Sequence, residues 1–313
     1  MKRSALFALL ALSGCAQVLG LGDFVDDDPS AGGGGASQSS TGSTPSTTSS
    51  QMTNTSSGMG GDAQGGGGNG TGGMGPDPGD VVWGHGWGAT VVETAFDVDV
   101  TSAGDVYLAG VAPDNGTFSI GSTMVTGPAF FVVKLGPSGV LSWARSYPIT
   151  GSSNAWMYPY GIDATDQGAV LGLYLEDSAS IDFGGGFPSR NGVVVARIGT
   201  DGSTQWTKSC GGGTNYKAVY GGDVVMDSAG NVVVASLTNG PVNCATTGTG
   251  ASGPVVSKLN ANGGFLWDQG SGFGYDDSIR LALDSAGNVL VAGAGGTNLG
   301  GGDLSGSFAA KLA

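Results

Sequence analysis

Four times along this chain the same order of parts returns: a five-residue turn, an apolar run, a variable excursion, a basic-aliphatic pair, a second turn and a tryptophan. The third copy is the clearest. It runs from Asp227-Ser228-Ala229-Gly230-Asn231 through Val232–Ala235 to Lys258-Leu259, the turn Asn260-Ala261-Asn262-Gly263 and Trp267. The other copies start at Thr101-Ser102-Ala103-Gly104-Asp105, Thr165-Asp166-Gln167-Gly168-Ala169 and Asp284-Ser285-Ala286-Gly287-Asn288. The turn glycines Gly104, Gly168, Gly230 and Gly287 are 64, 62 and 57 residues apart, and Lys134-Leu135, Arg197-Ile198, Lys258-Leu259 and Lys311-Leu312 are 63, 61 and 53 apart. A period of this size marks a repeat architecture, in which each unit buries its apolar faces against its neighbours.

Within each unit the pattern reads as two hairpins, with no helical periodicity of useful length. Strand a (Phe96–Val100, Tyr160–Ala164, Asp223–Met226, Ile279–Leu283) turns into strand b (Val106–Ala109, Val170–Leu173, Val232–Ala235, Val289–Ala292). Strand c (Phe130–Leu135, Val193–Ile198, Val255–Leu259, Phe308–Leu312) turns into strand d through Gly-, Asn- and Asp-rich segments where positive φ is cheap. Continuous apolar runs in b and c indicate strands buried on both faces. Strand d carries Trp143, Trp206 and Trp267, but the fourth unit reaches Leu312 without one, and Val81-Val82-Trp83 precedes the first unit. The expectation is an all-β domain over 81–313, a β-propeller of four four-stranded units. Its last blade is closed by the N-terminal strand at Trp83, which removes an exposed sheet edge and leaves a monomer.

Met226–Ala235 with Val255–Gly263, and Leu283–Gly293, resemble the bacterial β-propeller repeat of the SBBP type, with its Val-Asp-Ser-x-Gly-Asn-Val turn and Val-x-Lys-Leu-x-x-x-Gly hairpin. The first two units depart from it, with Thr101 and Thr165 at the Asp place and Asp105 and Ala169 at the Asn place. The resemblance covers about residues 81–313. It implies the fold and a myxobacteria-like surface lipoprotein, and it is nearly silent on activity.

Ahead of the repeats, Lys2-Arg3 and the apolar stretch Ala5–Leu12 read as an export signal over 1–14, too short to span a bilayer. Leu12-Ser13-Gly14-Cys15 resembles the bacterial lipobox, which implies acylation of Cys15 and a stable membrane anchor. Ala16, where an Asp signals inner-membrane retention, points to the outer membrane, with the domain on the cell surface or the periplasmic face. Residues 15–80 are the lipidated Cys and a Gly/Ser/Thr/Pro linker that cannot bury a core. A flexible chain of that composition reaches about 40 Å. With 25 acidic against 11 basic side chains, the net charge of −14 argues against a nucleic-acid partner.

Chemistry-bearing residues are few. His85 is the single His, so no multi-His metal site is expected, and no catalytic residue, metal ligand or cofactor is assigned. Asp97, Asp99, Asp163 and Asp223 either gather near the axis, where oxygen ligands suit Ca²⁺, or are solvated strand carboxylates. Cys210 and Cys244 form an even pair once Cys15 is acylated, and their connectors leave the same end of a meander, so a disulfide is expected. Aromatics crowd the connectors and long excursions at that end: Trp87, Tyr147, Trp156, Tyr158, Tyr216, Tyr220, Phe273 and Tyr275. They suit a protein or glycan partner. The expected function is a non-enzymatic, lipid-anchored propeller that binds a macromolecule or glycan through this face. A periplasm-facing scaffold of outer-membrane assembly and a propeller enzyme of the quinoprotein or lyase type are the alternatives.

Overall fold

The computed structural model describes residues 80–88, 93–151, 157–184, 189–210, 218–238, 244, 253–270 and 279–313. The chain divides into two units, 1–55 and 56–313, and every described residue belongs to the second. Among these residues there are nineteen strands and no helix, so the domain is all-β.

Module 1 contains β1 (Thr94–Val100), β2 (Val106–Ala112), an inserted hairpin of β3 (Thr117–Ile120) and β4 (Thr123–Thr126), then β5 (Ala129–Leu135) and β6 (Leu141–Thr150). Module 2 is β7 (Met157–Thr165), β8 (Gly168–Ile181), β9 (Ser189–Ile198) and β10 (Thr204–Cys210). Module 3 is β11 (Ala218–Met226), β12 (Val232–Thr238), β13 (Gly253–Leu259) and β14 (Phe265–Gln269). Module 4 has β15 (Ile279–Leu283), β16 (Val289–Ala294), a short inserted pair of β17 (Thr297–Asn298) and β18 (Asp303–Leu304), and β19 (Ser307–Leu312). Each module is an antiparallel meander in chain order. The ends of β6 and β8 pair as well, Ile149 with Ile181 and Thr150 with Ser180, which joins modules 1 and 2 in one eight-stranded sheet.

The repeat signature has a physical cause. Asp227 Oδ1 accepts the backbone N–H groups of Ala229 and Asn231 at 3.0 and 2.8 Å, which closes the turn. Its Oδ2 accepts the Asn231 side-chain amide at 2.9 Å and faces Lys258 Nζ at 3.7 Å. Module 4 repeats the device with Asp284, Asn288 and Lys311, the last at 2.7 Å. In module 1 the charge has moved four residues along the chain. The Thr101 hydroxyl accepts the Asp105 N–H at 3.2 Å, and Asp105 itself pairs with Lys134 at 2.7 Å. In module 2 Arg197 instead donates to Gln167 Oε1 and to the carbonyls of Gly230 and Ala261 in module 3. The cation on the third strand of the meander therefore always has an acceptor, but its identity drifts.

Apolar faces meet at three seams. Tyr107, Phe130 and Val132 of module 1 pack on Ile162, Leu171 and Val194 of module 2. Val170, Tyr174 and Val195 of module 2 pack on Val224, Met226 and Val234 of module 3. Val233, Ala235 and Val256 of module 3 pack on Ile279, Val289 and Val291 of module 4. Tryptophans fasten the first two of these seams on the outside. Trp143 lies over Gly202 and donates its indole N–H to Thr200 O at 2.8 Å; Trp206 lies over Gly263 and donates to Ala261 O at 2.8 Å. Both glycines have positive φ, +79° and +76°, and a Cβ on either would sit 2.9 Å from the ring, so only glycine fits.

One expectation needs correction. The described excursions do not project as free loops, because they are apolar enough to be drawn into the seams. Phe118, Ile120 and Val125 pack on Phe131 and Val133, Ala179, Ile181 and Phe183 enter the first seam, and Leu299 and Leu304 line the third. Among the described residues no strand pairs with the far side of β19, and residues 80–88 form no ladder, with Val81 and Val82 exposed. Trp83 and Trp87 pack instead on the outer face of module 1.

Because the indole of Trp206 spans two modules, Trp206→Ala is expected to lower stability by about 2 to 3 kcal/mol, somewhat less than for a fully buried Trp. Chemical denaturation with an unchanged m-value measures it, and a loss below about 0.5 kcal/mol would show that the contact is incidental.

Candidate functional site

Among the described residues the first strand of each module pairs on one side alone, so its other edge presents a row of backbone N–H groups that need acceptors. Carboxylates supply them across the seams. Asp97 accepts the N–H of Val98 through Oδ1 and that of Ile162 in module 2 through Oδ2, both at 2.9 Å. Asp223 does the same for Val224 at 2.9 Å and for Leu281 in module 4 at 2.8 Å. At the equivalent place module 2 has Gly161 and module 4 has Arg280, so two carboxylates serve four N–H groups. A second row lies two residues further on. There Asp99 caps Ala164 and Asp163 caps Met226, both at 2.6 Å, and Val225 and Ala282 fill the other two places.

These groups converge. A methyl group on Gly161 would lie 2.9 Å from Asp97 Oδ2 and 3.6 Å from Asp223 Oδ1, so the acids of modules 1 and 3 meet over the bare backbone of module 2. Burial raises the carboxyl groups above their ordinary range: Asp97 upward, Asp223 to about 6 and Asp163 to about 7. Hydrogen bonds from the capped N–H groups oppose this in all three, and the charge of Arg280 opposes it at Asp97 and Asp223. The nearby carboxylate of Asp99 pushes Asp163 further up.

The sequence-derived candidates fall in different places. The four acids are neither solvated nor gathered as a cation cage; they cap strand edges. Among the described residues no three His, Cys, Asp or Glu side chains are placed to hold a metal. Gly104, Gly168, Gly230 and Gly287 all take positive φ in their turns. Cys210 and Cys244 are bonded to each other, closing a 34-residue separation. His85 Nε2 lies 2.7 Å from Gly139 O, and its ring stacks on Trp87 at 5.2 Å. Tyr147 does not face solvent: it is buried in the first seam against Phe183, with ring centroids 4.8 Å apart, because its strand position points inward. Trp87 and Tyr158 are half-buried, on the faces of module 1 and of the second seam respectively. Tyr220 belongs to β11, its side chain outside the described residues, as are Cys15, Trp156, Tyr216, Phe273 and Tyr275 altogether. The inter-module role of the acids had one sequence signal, their recurrence seven or five residues before a turn glycine.

No protein-family model and no curated protein matches the chain. Among solved structures, a protein of unknown function from Bacteroides caccae, determined at 1.35 Å resolution, aligns with a TM-score of 0.35 and 13% identity over 68% of this chain. The chain covers 61% of that protein's length.

Since Asp163 is raised from 3.8 to about 7, the folded state holds its proton more tightly than the unfolded chain does. The stabilisation is complete below the ordinary value and is lost as pH rises through about 7; Asp223 adds a loss through about 6. Thermal stability should therefore fall between pH 5 and pH 8, by on the order of 2 to 4 kcal/mol, and Asp163→Asn should flatten the profile. Stability that rises over this range would contradict the assignment. For the disulfide, a Cys210→Ser/Cys244→Ser variant is expected to lose about 3 to 4 kcal/mol; equal melting of the two proteins under non-reducing conditions would show that the bridge adds nothing.

Proposed function

We propose that the four modules are blades of a four-bladed β-propeller of the SBBP-like repeat type, held outside an outer membrane by acylated Cys15 and the 15–80 linker. In this reading the domain is a rigid, non-enzymatic platform that binds a macromolecular or glycan partner. The observation that supports it is the commitment of the axial acids: Asp97, Asp99, Asp163 and Asp223 each accept a backbone N–H from the next module. Groups used in this way make a stiff frame rather than a reacting centre. The partner surface is the end from which the connectors between modules leave, with Trp156, Tyr158, Tyr216, Tyr220 and Tyr275 as its aromatic anchors.

The domain from Gly79 onward is expected to bind saturably to one class of envelope glycan or outer-membrane protein, measured on glycan arrays and isolated outer-membrane fractions. Trp156→Ala/Tyr216→Ala should weaken that binding at least about tenfold, the loss of two hot-spot aromatics, with melting unchanged. Undiminished binding by this variant would move the partner site elsewhere. A tightly held quinone or metal that comes off the purified native protein in mass spectrometry would favour an enzyme instead. In the full chain, Cys15→Ala is expected to move the protein out of the membrane fraction; its retention there would refute the anchor.

A further inference from the structure

Resting on the reading of residues 15–80 as a tether to acylated Cys15, we infer that Val81, Val82 and Val140 dock the domain onto the lipid surface to which it is anchored. Module 1 then stands on the bilayer by its tight-turn end, and the connector end is presented away from it.

The first argument is where exposed apolar side chains collect. Val81 is 82%, Val82 70% and Val140 66% exposed, the three highest values among the exposed large hydrophobics of the described residues. They belong to one place. The ring of Trp83 lies over Gly139, where a Cβ would be 2.6 Å from it, and His85 Nε2 meets Gly139 O at 2.7 Å. Residues 81–85 therefore run beside the β5–β6 turn, and Val82 and Val140 each stand one residue from that contact. Val98, Val100, Leu266 and Leu290 are less exposed and are scattered over β1, β14 and β16. Exposed aliphatic side chains beside a half-buried indole have the composition that settles at a water–lipid boundary, where the aliphatics leave water and the indole lies at headgroup level.

The second argument selects lipid as the occupant. The linker joins the domain at Val81, inside the patch, and its other end carries the acyl group, so the patch meets the membrane without the linker having to cross the domain. A chain of that composition reaches about 40 Å, which holds the patch at a roughly millimolar effective concentration near the surface. A contact too weak to bind a free protein then suffices. No atom lies within 4 Å of a Cβ at Gly84 or Gly86, so the segment protrudes instead of lining a groove, a form suited to an interface with no fixed shape to match. The net charge of −14 offers no attraction to anionic headgroups, so the contact is apolar and neutral lipid supports it.

The third argument is orientation. Strand β6 runs from the β5–β6 turn to the connector into module 2, so those two lie at opposite ends of module 1. Docking through Val140 therefore turns the end proposed for partner binding away from the bilayer.

The test couples the chain from Cys15 to Ala313 through the Cys15 thiol to a maleimide lipid in phosphatidylcholine nanodiscs. Cys210 and Cys244 are bonded to each other and do not compete. This chemical anchor is present whether or not a cell acylates Cys15, so failure of the docking is separate from failure of the anchor reading. Valine and leucine methyl groups are labelled for NMR, and doxyl-labelled phosphatidylcholine is included in the nanodisc. Paramagnetic broadening at Val81, Val82 and Val140 should exceed that at Val98, Val100, Leu266 and Leu290 at least about tenfold, as for groups lying about 5 to 10 Å into the headgroup boundary. It should persist at about 1 M salt, where the Debye length is about 3 Å. In a Val81→Ser/Val82→Ser/Val140→Ser variant of unchanged melting, broadening at the neighbouring Leu141 should fall at least about fivefold, since the apolar area that enters the lipid is gone. Equal broadening at all exposed methyl groups, none at the three valines, loss in high salt, or a variant that broadens like the parent overturns the inference. Valine shifts seen only on adding a lipid-free extract of outer-membrane proteins would assign the patch to a protein and overturn it equally.

Discussion

A β-strand at the edge of a sheet exposes backbone N–H groups, and the whole arrangement of this domain follows from how those groups are satisfied. Each module is a separate meander, and among the described residues only one short join, between β6 and β8, pairs strands of different modules. The carboxylates of Asp97, Asp99, Asp163 and Asp223 bridge that gap, each reaching the inner strand of the following module. A hydrogen bond from an N–H to a buried carboxylate is worth more than a neutral one, because the acceptor carries charge in a poorly solvated site. It also has a cost, visible in the upward shift of the same acids.

The outer rim uses a different chemistry for the same purpose. There a tryptophan lies flat on the next module's turn glycine and donates its indole N–H to a turn carbonyl. Carboxylate caps on the first strands and tryptophans on the turn glycines bracket an apolar seam of Val, Leu and Ile. Within that frame local substitutions are absorbed. The carboxylate that pairs with the strand cation sits at Asp227 and Asp284 in two modules and at Asp105 in another, while Arg197 relies on an amide and two carbonyls. What persists is an acceptor for each of these cations, as desolvation demands for the buried Lys134 and Arg197.

The strands were legible in the sequence because their signals are local: apolar runs, turn glycines, and the Asp and Asn that close a turn onto their own backbone. Beyond their spacing before the turn glycines, the role of the inner acids was not legible, since a carboxylate in a strand looks the same whether it faces water or the N–H of a residue 65 positions away, as Asp97 and Ile162 do. The excursions misled for a related reason. Their length suggested projecting loops, but Phe118, Ile120, Ile181 and Leu299 are apolar and find cover in the seams. Tyr147 was misplaced because an aromatic on a connector and one on the inward face of a long strand differ by a single residue of register.

The account stands or falls on whether the inner carboxylates protect the N–H groups of the neighbouring module. Amide hydrogen exchange by NMR measures this residue by residue. It predicts slow exchange at Ile162, Ala164, Met226 and Leu281, with protection lost first at Ile162 in Asp97→Ala and first at Leu281 in Asp223→Ala, each in the module that follows the substitution. Exchange of these four amides at unprotected rates in the native protein, or protection unchanged in both variants, would contradict it.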